Sequence, residues 1–566
     1  MILTLLIFLP LAGAALVGLL PREEHGQLRA AALGFMLVTF AISLWAWAQF
    51  DPSPAAPEFQ LQARAAWSPA IGFSYHVGID GVALVLIVLT AFLTPLALIA
   101  AFKSVKERVK EFVIAMLLLE CAMLGTLAAL DLVLFYFFWE AMLLPMYLLI
   151  GVWGGERRIY AAVKFFIYTM AGSLLMLVAI LYLYFATGGA GSRTFDMPDI
   201  LAHAPWLTVQ AGRWLFLAFA LSFAIKVPMF PLHTWLPDAH VEAPAAGSII
   251  LAGVLLKMGT FGFVRYAFQL FPDAAVHYRV LLAVLAVIGI LYGSLMCLAQ
   301  SDLKKLVAYS SVAHLGFVML GLCALTTEGI SGGVYQMLNH GISTGALFAL
   351  VGILYERRHT REMSQYGGLA KSVPALAAVF LIITLSSIGL PGTNGFIGEF
   401  LILAGSFSSK LINAPWFSAC GALGVILGAV YMLWMYQRVF FGPLKHAENA
   451  TVSDLSGREW TVLLPLVATA IVMGVFPGPI LDRIQPASDR LIARLEPTER
   501  PNVGTPPVGM ALFRNPNQTQ IRQQPPRPIG PRQPFFGGPG EPLGLPPGMP
   551  GIPPAGTPPG MPGAQP

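Results

Sequence analysis

The sequence predicts an all-α polytopic membrane protein, and its composition is the first reason for that prediction. Hydrophobic residues make up 56% of the 566 residues and charged residues only 11%, whereas a soluble domain carries about 25% charged residues. The apolar residues also fall into runs of about 20, which is the length of helix that crosses a bilayer. Finally, prolines and glycines interrupt two of these runs beside a charged residue, which predicts broken helices of the kind found in transporters.

Polar breaks between the apolar runs define about fourteen predicted transmembrane helices. The predicted spans lie near residues 2–20, 28–50, 79–102, 112–130, 131–151, 159–186, 213–231, 244–270, 277–299, 303–325, 331–355, 373–408, 415–441 and 460–481. The first run resembles a signal peptide only in length. It lacks a basic start, and Pro21, Arg22 and Glu23 follow it in place of a small-residue cleavage site. We therefore expect it to be retained as the first span.

Basic residues in the loops predict the orientation of the helices. One alternate set of loops carries 17 lysines and arginines, whereas the other set carries only Arg64, Arg193, Arg213, Arg279 and Lys410. Short loops rich in Lys and Arg stay in the cytoplasm, so both termini are predicted to lie on the periplasmic or outer side. The net charge of +5 is explained by this topology, and we expect the bilayer, and no nucleic acid, as a partner.

A faint internal repeat predicts the domain organisation. A shift of 173 residues places Lys226 on Glu399, and both charges lie beside helix-breaking prolines or glycines. Interrupted hydrophobic segments at corresponding places in two halves indicate a transport site. The prediction is therefore an N-terminal group of three spans, a first five-helix repeat, a second and inverted five-helix repeat, and a last span with its flanks. Their boundaries are 1–111, 112–270, 277–441 and 442–496.

Residues 497–566 differ in composition from the rest of the chain. They are rich in proline and glycine, show no apolar periodicity, and have no strict Gly-X-Y period. Such a segment cannot bury enough apolar surface to fold, so a disordered and partly polyproline-II tail is predicted. It is interpreted either as a partner-binding segment or as an extension without a role in transport.

Two lysines and a glutamate stand alone inside apolar runs. Lys226 and Lys257 each lie in a membrane-length segment, where a charge costs roughly 2.5–3.5 kcal/mol on insertion scales. Glu140 follows Asp131 by nine residues, about 13 Å along a helix, so it also lies deep. We predict that Glu140 and Lys226 form a pair that acts as a gate. The alternative is a static structural ion pair.

Lys257, His314 and His340 are predicted to carry protons. A buried lysine can lose and regain a proton near neutral pH, and imidazole titrates in the same range. The alternative for Lys257 is a side chain that reaches towards the membrane surface. For the two histidines it is an ordinary core residue that is hydrogen-bonded to a neighbouring serine or asparagine. Metal binding is not expected, because no second histidine follows either one at the spacing of one helical turn.

Glu399 and the segment 228–244 complete the candidate proton path. Glu399 lies just beyond Pro391 and Gly392, which free backbone groups that are tolerated only beside protein or water. The segment 228–244 is dense in titratable side chains on the cytoplasmic side, so it is either a proton entrance or a rigid structural loop. Lys164, early in its span, is either an anchor at the membrane surface or part of the path.

No motif for a redox cofactor is present in the sequence. The four cysteines are far apart and lie in apolar runs without a Cys-x-x-Cys pair, so an iron–sulfur or zinc site is not expected. The sequence also has no glycine-rich phosphate loop, dinucleotide-binding fingerprint or nucleophile elbow. We therefore expect this chain to bind no cofactor.

Three long motifs resemble a known family. They are Phe138-Trp-Glu-Ala-Met-Leu-Leu-Pro through Gly154, Lys226-Val-Pro-Met-Phe-Pro through Pro244, and Leu390-Pro-Gly-Thr. They resemble the antiporter-like membrane subunits of respiratory complex I, the NADH:quinone oxidoreductase, of the chain 4 or subunit M type. The resemblance covers about residues 1–490. It implies fourteen helices with two inverted five-helix repeats, and a proton path through Glu140, Lys226, Lys257, His314, His340 and Glu399.

The resemblance also implies what surrounds the chain. It predicts a bacterial inner-membrane protein that translocates protons beside sibling antiporter-like subunits, while partner subunits carry FMN, iron–sulfur clusters and the quinone site. Two alternatives remain open, which are a subunit of a multi-component cation/proton antiporter and a structural membrane spacer. The sibling subunit L would carry a long lateral helix after the last span. We expect none in residues 482–566, which are rich in proline.

Removal of the tail is expected to leave proton transport intact. Its arginines would be fully solvated and it lacks a core-forming pattern, so a stop codon near Pro501 should preserve both assembly and the number of protons pumped per NADH. Blue-native gels and proton-pumping assays on membrane vesicles measure these two quantities. Loss of the assembled complex would identify the tail as a docking element.

Overall fold

The chain forms a bundle of long helices, which confirms the predicted fold class. The structure, a computed structural model, describes residues 1–495 except 189–192, 204–206, 411, 413–414 and 445. Thirteen helices in this part of the chain are long and apolar enough to cross a membrane. The shorter apolar helix Pro374–Ser387 continues after a break as a second helix, and this pair supplies the fourteenth predicted span. The predicted tail, residues 497–566, lies outside the described residues.

The first half of the chain contains most of the helices and a short sheet. Its elements are α1 (Ile2–Leu19), α2 (His25–Gln49), β1 (Gln60–Ser68), β2 (Phe73–Ile79), α3 (Gly81–Ala101), α4 (Val109–Ala128), α5 (Leu132–Ala141), α6 (Leu143–Trp153), α7 (Arg158–Ala186), α8 (Met197–His203), α9 (Val209–Lys226), α10 (Trp235–Glu242), α11 (Ala245–Ile250), α12 (Leu256–Gly262) and α13 (Phe268–Leu270). The helices α11, α12 and α13 form one continuous span, which is joined by π-helical turns at Leu251–Leu255 and Phe263–Ala267.

In the described part of the second half, all the secondary-structure elements are helices joined by loops. Its helices are α14 (Pro272–Leu298), α15 (Leu303–Ala324), α16 (Thr327–Arg358), α17 (Pro374–Ser387), α18 (Asn394–Ser408), α19 (Trp416–Phe440), α20 (Gly457–Val475) and α21 (Gly478–Leu495). Each predicted five-helix stretch therefore contains five spans, and the fourth span is broken in both. The inverted relation between the two stretches stays a prediction.

The two breaks occur where the sequence places proline or glycine. The first separates α9 from α10 over residues 227–234, which include Pro228 and Pro231. The second separates α17 from α18 over residues 388–393, where Gly389 and Gly392 have φ angles of +75° and +90°. These φ angles are readily adopted only by glycine. Each break leaves backbone groups at membrane depth that must find partners within the protein.

Burial distinguishes the central helices from those that face lipid. The best apolar window of the span α11–α13 is 100% buried and that of α16 is 94% buried. By contrast, the windows of α7 and α19 are only 39% and 28% buried. Their outer surfaces carry large exposed apolar side chains such as Ile167, Phe185 and Ile426, as expected of helices in contact with lipid. The candidate site residues lie on or beside the two central spans.

Two elements at the face opposite the basic loops were not predicted from the sequence. The strands β1 and β2 form an antiparallel hairpin in which Arg64 lies opposite His76. The segment is short and polar and lies between two strong apolar runs, so its strands were not recognised. The second is α21, an amphipathic helix of 18 residues that ends at Leu495. It is a short helix, and the expectation that residues 482–566 form no long lateral helix stays a prediction. The polar face of α21 and the internal Pro486 obscured the helical pattern.

Ion pairs and hydrogen bonds hold α21 against this face of the protein. The Arg494 guanidinium donates to both carboxylate oxygens of Glu58 at 2.9 and 2.6 Å. The Arg483 guanidinium lies 4.1 Å from the centre of the Trp47 ring, and the hydroxyls of Ser488 and Ser331 are 3.0 Å apart. The helix therefore connects the loop before the hairpin with the first turns of α16.

Candidate functional site

Lys226 is positioned by the break in the fourth span of the first half. It is the last residue of α9 and is only 2% exposed. The negative end of a helix dipole stabilises a cation at this position. The indole nitrogen of Trp235 donates to the carbonyl of Ile225 at 2.9 Å, so a backbone group freed by the break is satisfied. The break thus delivers an ammonium group to membrane depth without leaving this carbonyl unpaired.

The charges of Lys226 and Glu140 interact, but the two side chains are not in direct contact as a salt bridge. The Lys226 ammonium lies 4.1 Å from the centre of the Trp139 ring, and it has no hydrogen-bond partner among the described residues. The Glu140 carboxylate interacts with the Ser173 hydroxyl and, over a longer distance, with the charge of Lys226. The two charges interact at longer range because the indole face of Trp139, the residue before Glu140, lies beside the ammonium. Their role as a gate stays a prediction. The cation–π contact and the longer-range attraction together stabilise Lys226.

Lys257 lies in the short helix α12 between two π-helical turns, a feature that is frequent at functional sites. Its side chain is 1% exposed and contacts the carbonyl oxygen of Ala252. Its ammonium nitrogen lies 2.6 Å from Nδ1 of His340 on α16. When Lys257 is protonated it can only donate, so Nδ1 of His340 is then the acceptor. A proton can pass directly between these two side chains.

His340, His314 and Glu399 continue the row towards the opposite face. The ring centres of His340 and His314 are 5.8 Å apart, and Nδ1 of His314 lies 3.6 Å from a carboxylate oxygen of Glu399. A polar cavity of about 10 Å³ lies beside both histidines, which is close to the smallest volume that holds one water. The break before α18 brings Gly389 against the Glu399 carboxylate, since a Cβ at Gly389 would come within 2.5 Å of it.

The predicted site residues therefore form two groups. Glu140 and Lys226 lie at Trp139, and Lys257, His340, His314 and Glu399 form a row across α12, α15, α16 and α18. The two lysines are not joined by a hydrogen bond between described side chains, because the Lys226 nitrogen has no partner there. A water molecule or a movement of Lys226 is needed to connect the groups.

A large cavity opens at the face that carries the basic loops. Its volume is about 960 Å³, and charged side chains from several loops line it, including Glu107, Arg157, Asp238, Glu242, Lys304 and Arg361. The Lys304 ammonium at its edge donates to the carbonyl of Ala243 at 2.6 Å. Lys164 forms an ion pair with Asp238 at 2.7 Å, so it is fixed by a partner. The cavity gives water access to the end of the segment 228–244.

His240 lies between this cavity and Lys257. It lies on α10, after the break in the fourth span, and it is 0% exposed. Its ring stacks on Phe348 with centres 4.4 Å apart, and neither ring nitrogen has a partner among the described residues. The charges of Lys304 and Lys257 both act on this ring. The imidazole of His240 therefore lies between two lysines.

Glu120 is a buried carboxyl group that the sequence analysis missed. It lies on α4, is 0% exposed, and neither carboxylate oxygen has a partner among the described residues. The sequence pattern that pointed to Glu140, a lone charge within an apolar run, also occurs at Glu120, which follows an apolar run that begins at Phe112. A carboxylate in such surroundings is far more stable protonated than ionised, so Glu120 is a neutral side chain.

Comparison with known proteins identifies related sequences over most of the chain. Residues 129–449 match the family described as NADH:quinone oxidoreductase/Mrp antiporter, transmembrane region. Residues 58–126 match the amino terminus of NADH-ubiquinone oxidoreductase chain 4. The chain is 46% identical over 501 residues to NADH-quinone oxidoreductase subunit M of Rhodobacter capsulatus, covering 87% of this chain and 96% of that one. It is 43% identical over 488 residues to NADH-ubiquinone oxidoreductase chain 4 of Marchantia polymorpha, covering 86% and 96%.

Solved structures show the same fold. Respiratory complex I from Thermus thermophilus with bound NADH contains a chain with a TM-score of 0.79 and 36% sequence identity, covering 88% of this chain and 100% of that chain. The Mrp complex from Dietzia sp. DQ12-45-1b contains one with a TM-score of 0.74 and 23% identity, covering 86% and 52%. At that lower identity the likeness concerns the fold alone.

Proposed function

Because this chain belongs to the family of NADH-quinone oxidoreductase subunit M, also called chain 4, we propose that its buried row of charges carries protons across the membrane. The protein is a multi-pass membrane subunit of complex I. The row of neighbouring titratable side chains from Lys257 through His340 and His314 to Glu399 is the observation that supports a proton path. Adjacent donors and acceptors let a proton move by short hops, whereas a hydrated metal ion would need a cage of oxygen ligands.

Protons enter, in this proposal, from the cavity at the basic face. Loops rich in Lys and Arg remain in the cytoplasm, so this face is assigned to the cytoplasm and both termini to the outer side of the bacterial inner membrane. His240 stands between Lys304, at the cavity edge, and Lys257. A neutral imidazole accepts a proton at one nitrogen and releases one from the other, so His240 passes protons inwards to Lys257.

Glu140 and Lys226 act as the gate for this path. The Lys226 ammonium has no hydrogen-bond partner among the described residues, so its position depends on the cation–π contact and on the charge of Glu140. Protonation of Glu140 removes that attraction and lets the four-carbon stem of Lys226 swing towards Lys257. A direct ion pair would hold the lysine more firmly, and the observed arrangement is therefore better suited to switching.

The redox chemistry belongs to other subunits. The described part of this chain has no cluster of three or more His, Cys, Asp or Glu side chains that could hold a metal ion, and its sequence has no nucleotide-binding motif. FMN, iron–sulfur clusters and quinone are assigned to partner subunits, and sibling antiporter-like subunits are assigned as membrane neighbours.

A structural spacer is disfavoured, since an unpartnered lysine costs roughly 2.5–3.5 kcal/mol at membrane depth and leucine would fill its place.

Glu140→Gln is the first test of the gate. The amide keeps the shape of the side chain but removes the charge that attracts Lys226, so NADH-driven proton pumping and coupled quinone reduction should fall about tenfold or more. Glu120→Gln is the matched control, because Glu120 is a buried and neutral carboxyl without a partner in the row. Wild-type pumping by Glu140→Gln in fully assembled complexes would exclude the gate.

Lys257 variants test whether the row needs a mobile proton. Lys257→Ala should abolish most proton pumping because the contact with His340 is lost. Lys257→Arg should restore it only in part, since a guanidinium stays protonated at all physiological pH values. Pumping is measured as the acidification of membrane vesicles after addition of NADH. Full activity of Lys257→Arg would mean that a fixed positive charge is enough.

His240→Leu tests the proposed entrance. Leucine retains the packing against Phe348 but cannot take up a proton, so the turnover rate should drop several-fold. His277, which lies on α14 outside this region, provides the control variant His277→Leu. If His240→Leu pumps protons at the wild-type rate, protons enter by another route.

A further inference from the structure

A pair of buried amides lies against the Glu399 carboxylate. Gln336, on α16 one turn before His340, donates from Nε2 to an oxygen of Glu399 at 3.3 Å. Asn339 donates from Nδ2 to Oε1 of Gln336 at 2.8 Å. Both amides are buried, with 2% and 1% of their surfaces exposed. Oδ1 of Asn339 has no partner among the described residues, so the far end of the pair is not anchored.

The packing of α18 keeps this pair in place. A Cβ on Gly398 would lie 2.7 Å from Nδ2 of Asn339 and would also collide with Oε1 of Gln336. Helix α18 therefore approaches α16 closely enough to confine both amides beside Glu399. This close approach limits the space available to both amide side chains. Each amide can still rotate about its terminal bond, which exchanges the positions of its oxygen and nitrogen.

Such a rotation matches the two protonation states of a carboxyl group. An ionised carboxylate only accepts hydrogen bonds, whereas a protonated one also has an O–H that requires an acceptor. An amide presents a donor at one end and an acceptor at the other. If Gln336 and Asn339 rotate together, the hydrogen bond between them is preserved with its direction reversed, and Gln336 then offers its oxygen to Glu399. The unanchored oxygen of Asn339 means that no other described bond is broken.

We infer that Gln336 is a positioning residue which, together with Asn339, satisfies Glu399 in both protonation states and keeps it facing His314. The inference rests on the proposed proton path through Glu399. In the transfer step, the His314 imidazolium loses its Nδ1 proton and becomes neutral, and the Glu399 carboxylate gains that proton. No other bond changes. Without Gln336 the carboxyl group is free to rotate away from His314, and the transfer becomes slow.

Gln336→Met in the assembled complex tests this role. Methionine has nearly the same shape but offers no amide, so coupled NADH oxidation should fall about tenfold, the effect of losing one hydrogen bond to a charged group. The solvent deuterium isotope effect on turnover should rise, because proton transfer becomes rate-limiting. Gln269→Met is the matched control. It also removes a buried amide, one that accepts from Arg494 at 2.7 Å, and it should leave the isotope effect unchanged.

Asn339→Ala is the second variant, in case Gln336→Met does not assemble. It leaves Gln336 in place without its partner, so a smaller loss of turnover and a raised isotope effect are expected. An unchanged isotope effect in an assembled Gln336→Met or Asn339→Ala complex, whether turnover is normal or low, overturns the inference. Glu399→Gln distinguishes failure of the proton path from failure of the positioning role. Wild-type pumping by Glu399→Gln overturns the proton path itself. If Glu399→Gln loses pumping but Gln336→Met leaves turnover and the isotope effect unchanged, only the positioning role is overturned.

Discussion

The cost of holding a charge inside a membrane governs the central part of this structure. Each lysine or glutamate at that depth must find a compensating group, because lipid offers none. The irregular backbone of the bundle lies beside these charges. The break after α9 leaves Lys226 at a helix end, and two π-helical turns flank Lys257. The break before α18 brings Gly389 against Glu399. The helix irregularities are therefore part of the site.

Lys226 and Lys257 are stabilised by different kinds of contact, and this difference suits them to different steps of proton transport. Lys257 is in direct contact with a carbonyl group and an imidazole, so its proton has an immediate destination. Lys226 has only an aromatic face and a distant carboxylate. A group with strong local partners suits proton transfer, whereas a group with weak ones suits movement. The same residue type thus takes two roles because the surrounding contacts differ.

The face opposite the basic loops is closed by ion pairs instead of by apolar packing alone. Asp80 begins α3 and pairs with the wholly buried Arg265 at 2.8 Å, eight residues beyond Lys257 on the same span. Nearby, Arg494 of α21 links Glu58 to Gln269. The breakage of a buried ion pair leaves an uncompensated charge, which destabilises a fold by about 3–5 kcal/mol. This arrangement fixes the end of the central span that lies opposite the basic loops, while the middle of the span retains the π-helical turns.

The sequence by itself determined the membrane class, the positions of the spans, the two breaks and the buried charges at Glu140, Lys226, Lys257 and Glu399. These are local properties, since a charge in an apolar run or a proline in a helix is visible within about 20 residues. Glu120 was equally visible and was overlooked. The hairpin and α21 were less visible, because short amphipathic elements resemble polar loops. Only the tertiary structure decided that Lys226 meets Trp139 instead of Glu140, that Lys257 meets His340, and that Gln336 meets Glu399. Such contacts depend on how each helix is rotated about its axis, and that rotation is set by packing between segments far apart in the chain.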